Sequence, residues 1–86
     1  MANIASQIKR NRQNEVRRQR NKAMRSALKT HLKQFRTAVD DGDRTRAEER
    51  FVAASRQLDR AAGKGVVHRN YAANHKSRMA KRLQSL

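Results

Sequence analysis

The chain has 86 residues, with 22 Lys or Arg against 7 Asp or Glu, a formal net charge of +15 and no Cys. Absence of Cys excludes a disulfide framework and a thiolate metal site and fits a reducing compartment. No apolar run approaches the ~20 residues that span a bilayer, and the N-terminus lacks the apolar stretch of a signal peptide, so a cytoplasmic, non-membrane protein is expected.

A chain of this length makes one small domain, residues 1–86, with a thin core, since the only aromatics are Phe35, Phe51 and Tyr71. The charge is uneven. Residues 1–36 carry 11 bases and a single acid, Glu15; residues 40–60 carry six acids and five bases; residues 61–86 carry six bases and no acid. Such a balance calls for a polyanionic partner, and 15 Arg to 7 Lys suits nucleic acid, because the planar guanidinium bonds phosphate in two-pronged fashion and stacks on bases, although the coding bias of a GC-rich genome accounts for the Arg excess equally well.

With no Pro and only three Gly, helix is favoured almost everywhere and the glycines mark its breaks. The predicted fold is all-α, a three-helix bundle with helices over roughly 4–40, 44–62 and 68–85. Asp40-Asp41-Gly42-Asp43 ends the first helix, Asp43 caps the second, and Gly63-Lys64-Gly65 ends the second.

In the second half of the first helix, Met24, Leu28, Leu32, Phe35 and Val39 form an apolar stripe. Its first half has no such face: Ile4 and Ile8 are the only sizeable apolar residues before Val16, while Lys9, Arg10, Arg12, Arg17, Arg18 and Arg20 point all round the axis. Residues 1–22 are therefore expected to be a basic arm that projects from the bundle and folds fully on its target. Arg18, Lys22, Arg25, Lys29, Lys33 and Arg36 follow spacings of three and four and make a row beside the apolar stripe, suited to lie along phosphates.

The second helix supplies Ala47, Phe51, Ala54, Leu58 and Ala61 to the core, and its acids read as caps and solvated faces. Gly63-Lys64-Gly65 is no Walker loop, because Gly65 stands where that motif needs Ser or Thr and no Gly stands upstream at the spacing it needs; it serves equally as a turn or as a close approach to a phosphate. The third helix adds Ala72, Met79, Leu83 and Leu86, with Val66 and Val67 at the corner. His68 and His75 lie on one side of it without a third ligand, so no metal or other cofactor is expected, and boundary histidines bonded to backbone or RNA are the better reading. Tyr71 is equally a stacking residue and a packed edge. No paired-carboxylate or Ser/His/Asp arrangement is visible, and neither an enzyme nor a small-molecule binder is expected.

Ala2-Asn3-Ile4, Arg17-Arg18-Gln19-Arg20-Asn21 followed by Arg25-Ser26, Gly42-Asp43, the segment Leu58-Asp59-Arg60-Ala61-Ala62-Gly63-Lys64-Gly65-Val66-Val67-His68-Arg69-Asn70, and Lys76-Ser77-Arg78 together resemble the bacterial small-subunit ribosomal protein family numbered twenty. The likeness runs from Ala2 to about Leu83. It implies a structural, non-catalytic protein with a long N-terminal helix that binds small-subunit rRNA directly and early in assembly. Contacts with the 5′ domain and the 3′ penultimate stem are implied too. The resemblance carries over Asn3, Ser6, Lys9, Arg10, Arg17, Arg18, Arg20, Asn21, Arg25, Ser26, Lys64, His68, Asn70, Lys76, Ser77 and Arg78 as RNA-binding positions. Charge and spacing add Arg12, Lys22, Lys29, Lys33 and Arg69. Ala5, Asn74 and Met79 depart from the family pattern, the first two softening individual phosphate contacts.

The expected mechanism is neutralisation of phosphates on several RNA helices at once by a monomer, with RNA shape giving specificity. A nucleoid-type DNA-compacting protein would share the charge but needs wedge residues that this chain lacks. A membrane-surface helix would need bulky apolar residues on the arm.

Overall fold

The computed structural model describes residues 2–86, with side chains from Ile4 onward. Three helices follow one another: α1 (Ala2–Asp40), α2 (Arg44–Gly63) and α3 (Arg69–Gln84). The molecule measures 63 × 20 × 13 Å, and its long axis matches the roughly 58 Å expected of a 39-residue helix at 1.5 Å per residue.

Both breaks are built the same way. After α1, the Asp43 N–H donates to Ala38 O at 3.1 Å and the Gly42 N–H to Val39 O at 3.0 Å. After α2, the Val66 N–H donates to Ala61 O at 2.9 Å and the Gly65 N–H to Ala62 O at 3.1 Å. These are Schellman closures, in which the residue past the cap takes a left-handed conformation that glycine adopts without strain. Gly42 (φ 71°) and Gly65 (φ 74°) fill that position. Of the two glycines around Lys64, Gly65 therefore makes the turn, while Gly63 stays inside α2.

Each new helix then starts from a side-chain cap. Asp43 Oδ1 accepts from the Arg46 N–H at 3.1 Å. His68 Nδ1 accepts from the Asn70 N–H at 3.0 Å, satisfying a donor that the first turn leaves open.

The core consists of Leu28, Phe35, Ala38, Ala47, Ala54, Leu58, Ala61, Val66, Ala72 and Met79, with Met24, Leu32, Val39, Phe51, Ala62, Val67 and Leu83 packed around it. Ala47, Ala54 and Ala61 recur every seven residues on α2 and are fully buried. Small side chains at that period let neighbouring backbones close in on α2, which packs against both other helices, while α1 and α3 meet along a shorter strip. The Phe35 and Phe51 rings pack across the α1–α2 seam with centroids 6.2 Å apart and planes tilted by 55°, in the range where aromatic pairs attract edge to face.

Two expectations about the core need correction. Leu86 is not part of it: the chain leaves α3 at the Ser85 cap, and Leu86 is exposed. Ala38, outside the apolar stripe read from the sequence, is fully buried.

Candidate nucleic-acid interface

From Ile4 to Arg20 every residue is exposed, so this half of α1 offers its cations to solvent on all sides. Asn14, Arg17, Arg18, Asn21, Lys22, Arg25, Ser26 and Lys29 line one continuous hollow along the helix. Arg12, Arg17 and Arg20 border a second with Gln13 and Val16. Most of the predicted row is thus one strip, with the amide of Asn21 and the hydroxyl of Ser26 set among the cations. Ser6, Lys9, Arg10 and Lys33 are exposed outside that strip. The side chain of Asn3 lies outside the described residues.

Glu15 flanks the strip. Arg18 Nη2 donates to both its carboxylate oxygens, at 3.0 and 2.8 Å, and Gln19 Nε2 to one of them at 3.4 Å. Both partners are largely exposed, and pairs of that kind are worth little in water. A phosphate can therefore displace Glu15 from Arg18 at small cost.

The second group of predicted residues gathers at the α2–α3 corner. Lys64 caps α2, His68 caps α3, and Arg69 and Asn70 begin α3 in exposed positions. The two groups are joined by Arg25, whose Nη2 donates to the Val66 carbonyl oxygen at 3.3 Å. Arg25 thus ties the strip on α1 to a corner 41 positions away in the chain.

Farther along α3, Ser77 and Arg78 are exposed. Lys76 is engaged with protein: its Nζ sits 3.0 and 3.3 Å from the carboxylate oxygens of Asp59 on α2. Arg82 likewise reaches Asp40 at the end of α1, 3.2 Å away. These inter-helix pairs join separate elements and left no local signal in the sequence.

Arg78 borders a cleft between α1 and α3 that also holds Leu32, Phe35, Arg36, His75, Met79 and Arg82. His75, partly buried there, has its pKa lowered from the ordinary value of 6.5, first by burial and then by the charge of Arg78. Among the described residues there is no group of three or more His, Cys, Asp or Glu placed to hold a metal ion. No described helix is long and apolar enough to cross a membrane.

A continuous strip of cations on a helix, joined to a basic corner, is suited to hold phosphates at several points at once. Comparison with known proteins agrees with that chemistry. Residues 2–84 match the family model for ribosomal protein S20. The small ribosomal subunit protein bS20 of Frankia casuarinae is 62% identical over 81 residues, covering 94% of this chain and 91% of the relative. The proteins of the same name from Saccharopolyspora erythraea and Mycolicibacterium smegmatis are each 56% identical over 86 residues, the full length of both chains in each comparison. With its full length matched and its three helices in place, this chain belongs to the ribosomal protein S20 family, structural proteins of the small ribosomal subunit rather than enzymes.

Proposed function

We propose that the chain binds small-subunit rRNA directly and aids assembly of the subunit by neutralising and bridging phosphates of several RNA helices. The observation that carries this reading is the strip of cations on α1, Arg17, Arg18, Lys22 and Lys29, tied through Arg25 to the α2–α3 corner that holds Lys64 and Arg69. One rigid element with cations at several places along its length draws together RNA segments that would otherwise repel, without reading bases.

On this reading residues 1–22 act as a projecting basic arm of the single domain, and the 5′ domain and the 3′ penultimate stem of the rRNA are its targets. The chain works as a monomer, in the cytoplasm on the ribosome. The exposure of residues 4–20 and their lack of any acid but Glu15 support the arm. Asn21, Ser26, Asn70 and Ser77 supply uncharged donors and acceptors for sugars and phosphates.

The test is a salt-dependent titration of the purified chain against small-subunit rRNA, with duplex DNA and an unrelated structured RNA as competitors. Tight binding that survives both competitors is expected. Affinity should fall on the order of a thousandfold or more between low and moderate salt if roughly ten phosphates are contacted, by analogy with duplex DNA. Equal displacement by all three polyanions would reduce the protein to a generic polyanion binder.

A further inference from the structure

Tyr71 and His75 stand one turn apart on α3, and their rings meet with centroids 4.3 Å apart and planes at 48°. Tyr71 is 39% exposed and lies outside the core. His75, by contrast, is tucked into the α1–α3 cleft of about 190 Å³, whose floor is Leu32, Phe35 and Met79 and whose rim is Arg36, Arg78 and Arg82. One aromatic ring is thus held in place from the cleft side and presents a second, more open ring to solvent.

The charged residues that line the cleft with His75 are Arg36, Arg78 and Arg82; the acids nearest in the contacts of α3 are both engaged, Asp40 by Arg82 at 3.2 Å and Asp59 by Lys76 at 3.0 Å. Arg36 and Arg78 have no acidic partner among the described residues. Burial and the charge of Arg78 both disfavour the charged form of His75, so the ring that backs Tyr71 is biased toward the neutral state. An aromatic face beside cations that lack acidic partners matches an unstacked nucleotide: the base meets the ring and the phosphate meets the guanidinium. A helical duplex, with its bases stacked inside, cannot use such a face.

We propose that Tyr71, backed by His75, is a stacking platform for one unpaired nucleobase of RNA, with Arg78 and Arg36 holding the adjoining phosphates. This rests on the reading of the chain as an RNA-binding protein and adds to it a contact with single-stranded RNA, distinct from the phosphate strip on α1.

The chain contains one Tyr and no Trp, so its intrinsic emission reports Tyr71 alone. The full chain is titrated with a short oligoadenylate, with an RNA duplex of equal length and with polyglutamate. Stacking predicts that oligoadenylate quenches the emission, whereas the duplex binds without quenching and polyglutamate leaves the emission unchanged. Tyr71→Ala should bind oligoadenylate about five- to a hundredfold more weakly. Tyr71→Phe should bind as the parent does, and both variants should keep the parent's circular dichroism and duplex affinity. Quenching by all three polyanions alike, or an unchanged oligoadenylate affinity in Tyr71→Ala, would overturn the platform. Loss of duplex and rRNA binding by the parent chain itself would instead remove the RNA-binding reading on which the platform rests.

Discussion

Arg25 leaves the basic strip of α1 to donate a hydrogen bond to the carbonyl oxygen of Val66, 3.3 Å away at the α2–α3 corner. Val66 is itself buried, and its own N–H closes the end of α2 on Ala61. Arg25 thus belongs to the basic strip and to the bundle at once, whereas Arg18, among the described residues, pairs with its helical neighbour Glu15. The two arginines are expected to part company when each is replaced by Ala. Arg25→Ala should lose about 1 kcal/mol of stability, the usual net worth of such a bond. Arg18→Ala should stay within about 0.5 kcal/mol. Urea unfolding followed by circular dichroism measures both, and equal values would mean that the Arg25 bond carries no stability.

Binding and folding should separate more cleanly at positions that touch only one side. Arg18→Glu combined with Lys22→Glu is expected to weaken rRNA binding at least tenfold and to reduce the salt dependence by about one phosphate for each cation lost, with unfolding unchanged. Leu28→Ala should do the reverse. Leu28 is 2% exposed, and truncating a packed Leu costs about 2 to 5 kcal/mol. A double charge reversal that unfolds the chain would show that the strip supports the bundle after all.

At the start of α3, the cap and the RNA contact attributed to His68 can be told apart by substitution. His68→Ala removes the acceptor for the Asn70 N–H and should cost about 1 kcal/mol. His68→Asn supplies a new acceptor and should recover most of that loss. If rRNA affinity falls equally in both variants, the imidazole has a role in binding beyond the cap; if Asn restores affinity too, the cap is its whole contribution.

His75 makes stability depend on pH. Its folded pKa lies below the ordinary 6.5, so as the pH falls the unfolded chain takes up the proton first. The contribution is full above 6.5, declines below it and is gone once the pH passes the depressed folded value. Charging the ring would also set it beside Arg36, Arg78 and Arg82 around the same cleft. Thermal unfolding is therefore expected at lower temperature at about pH 5 than at about pH 7.5, and by a smaller margin in His75→Gln. An identical drop in the variant would assign the effect to other groups.

The helices and their ends were legible because their signals are local. Gly42, Asp43 and Gly65 act within a few residues of themselves, and periodicity located most of the core. Ala38 escaped because a methyl group adds almost nothing to a hydrophobic pattern; its burial comes from the close approach of α2, a tertiary fact. Leu86 misled for the opposite reason, since a bulky side chain in phase with a stripe counts for nothing once the helix has ended. The cationic strip could be read from spacing along one helix. Its union with the corner could not, because the bond from Arg25 to Val66 spans 41 positions of chain. The engagement of Lys76 by Asp59 and the pairing of Tyr71 with His75 likewise depend on side-chain placements that composition does not record.

The unbroken course of α1 ties the rotational phase of its two halves together. Side chains from Ile4 to Arg20 and those of the core stripe sit on the same helical screw, so the direction in which each upstream cation points is set by how Leu28 and Phe35 seat against α2. One residue inserted near Asn21 would leave the bundle intact yet turn every upstream cation by about 100° around the axis, while seven would bring them back nearly into register. Length between the two halves thus acts as an angular setting, fixed in whole residues, for a surface whose charge alone would tolerate any arrangement.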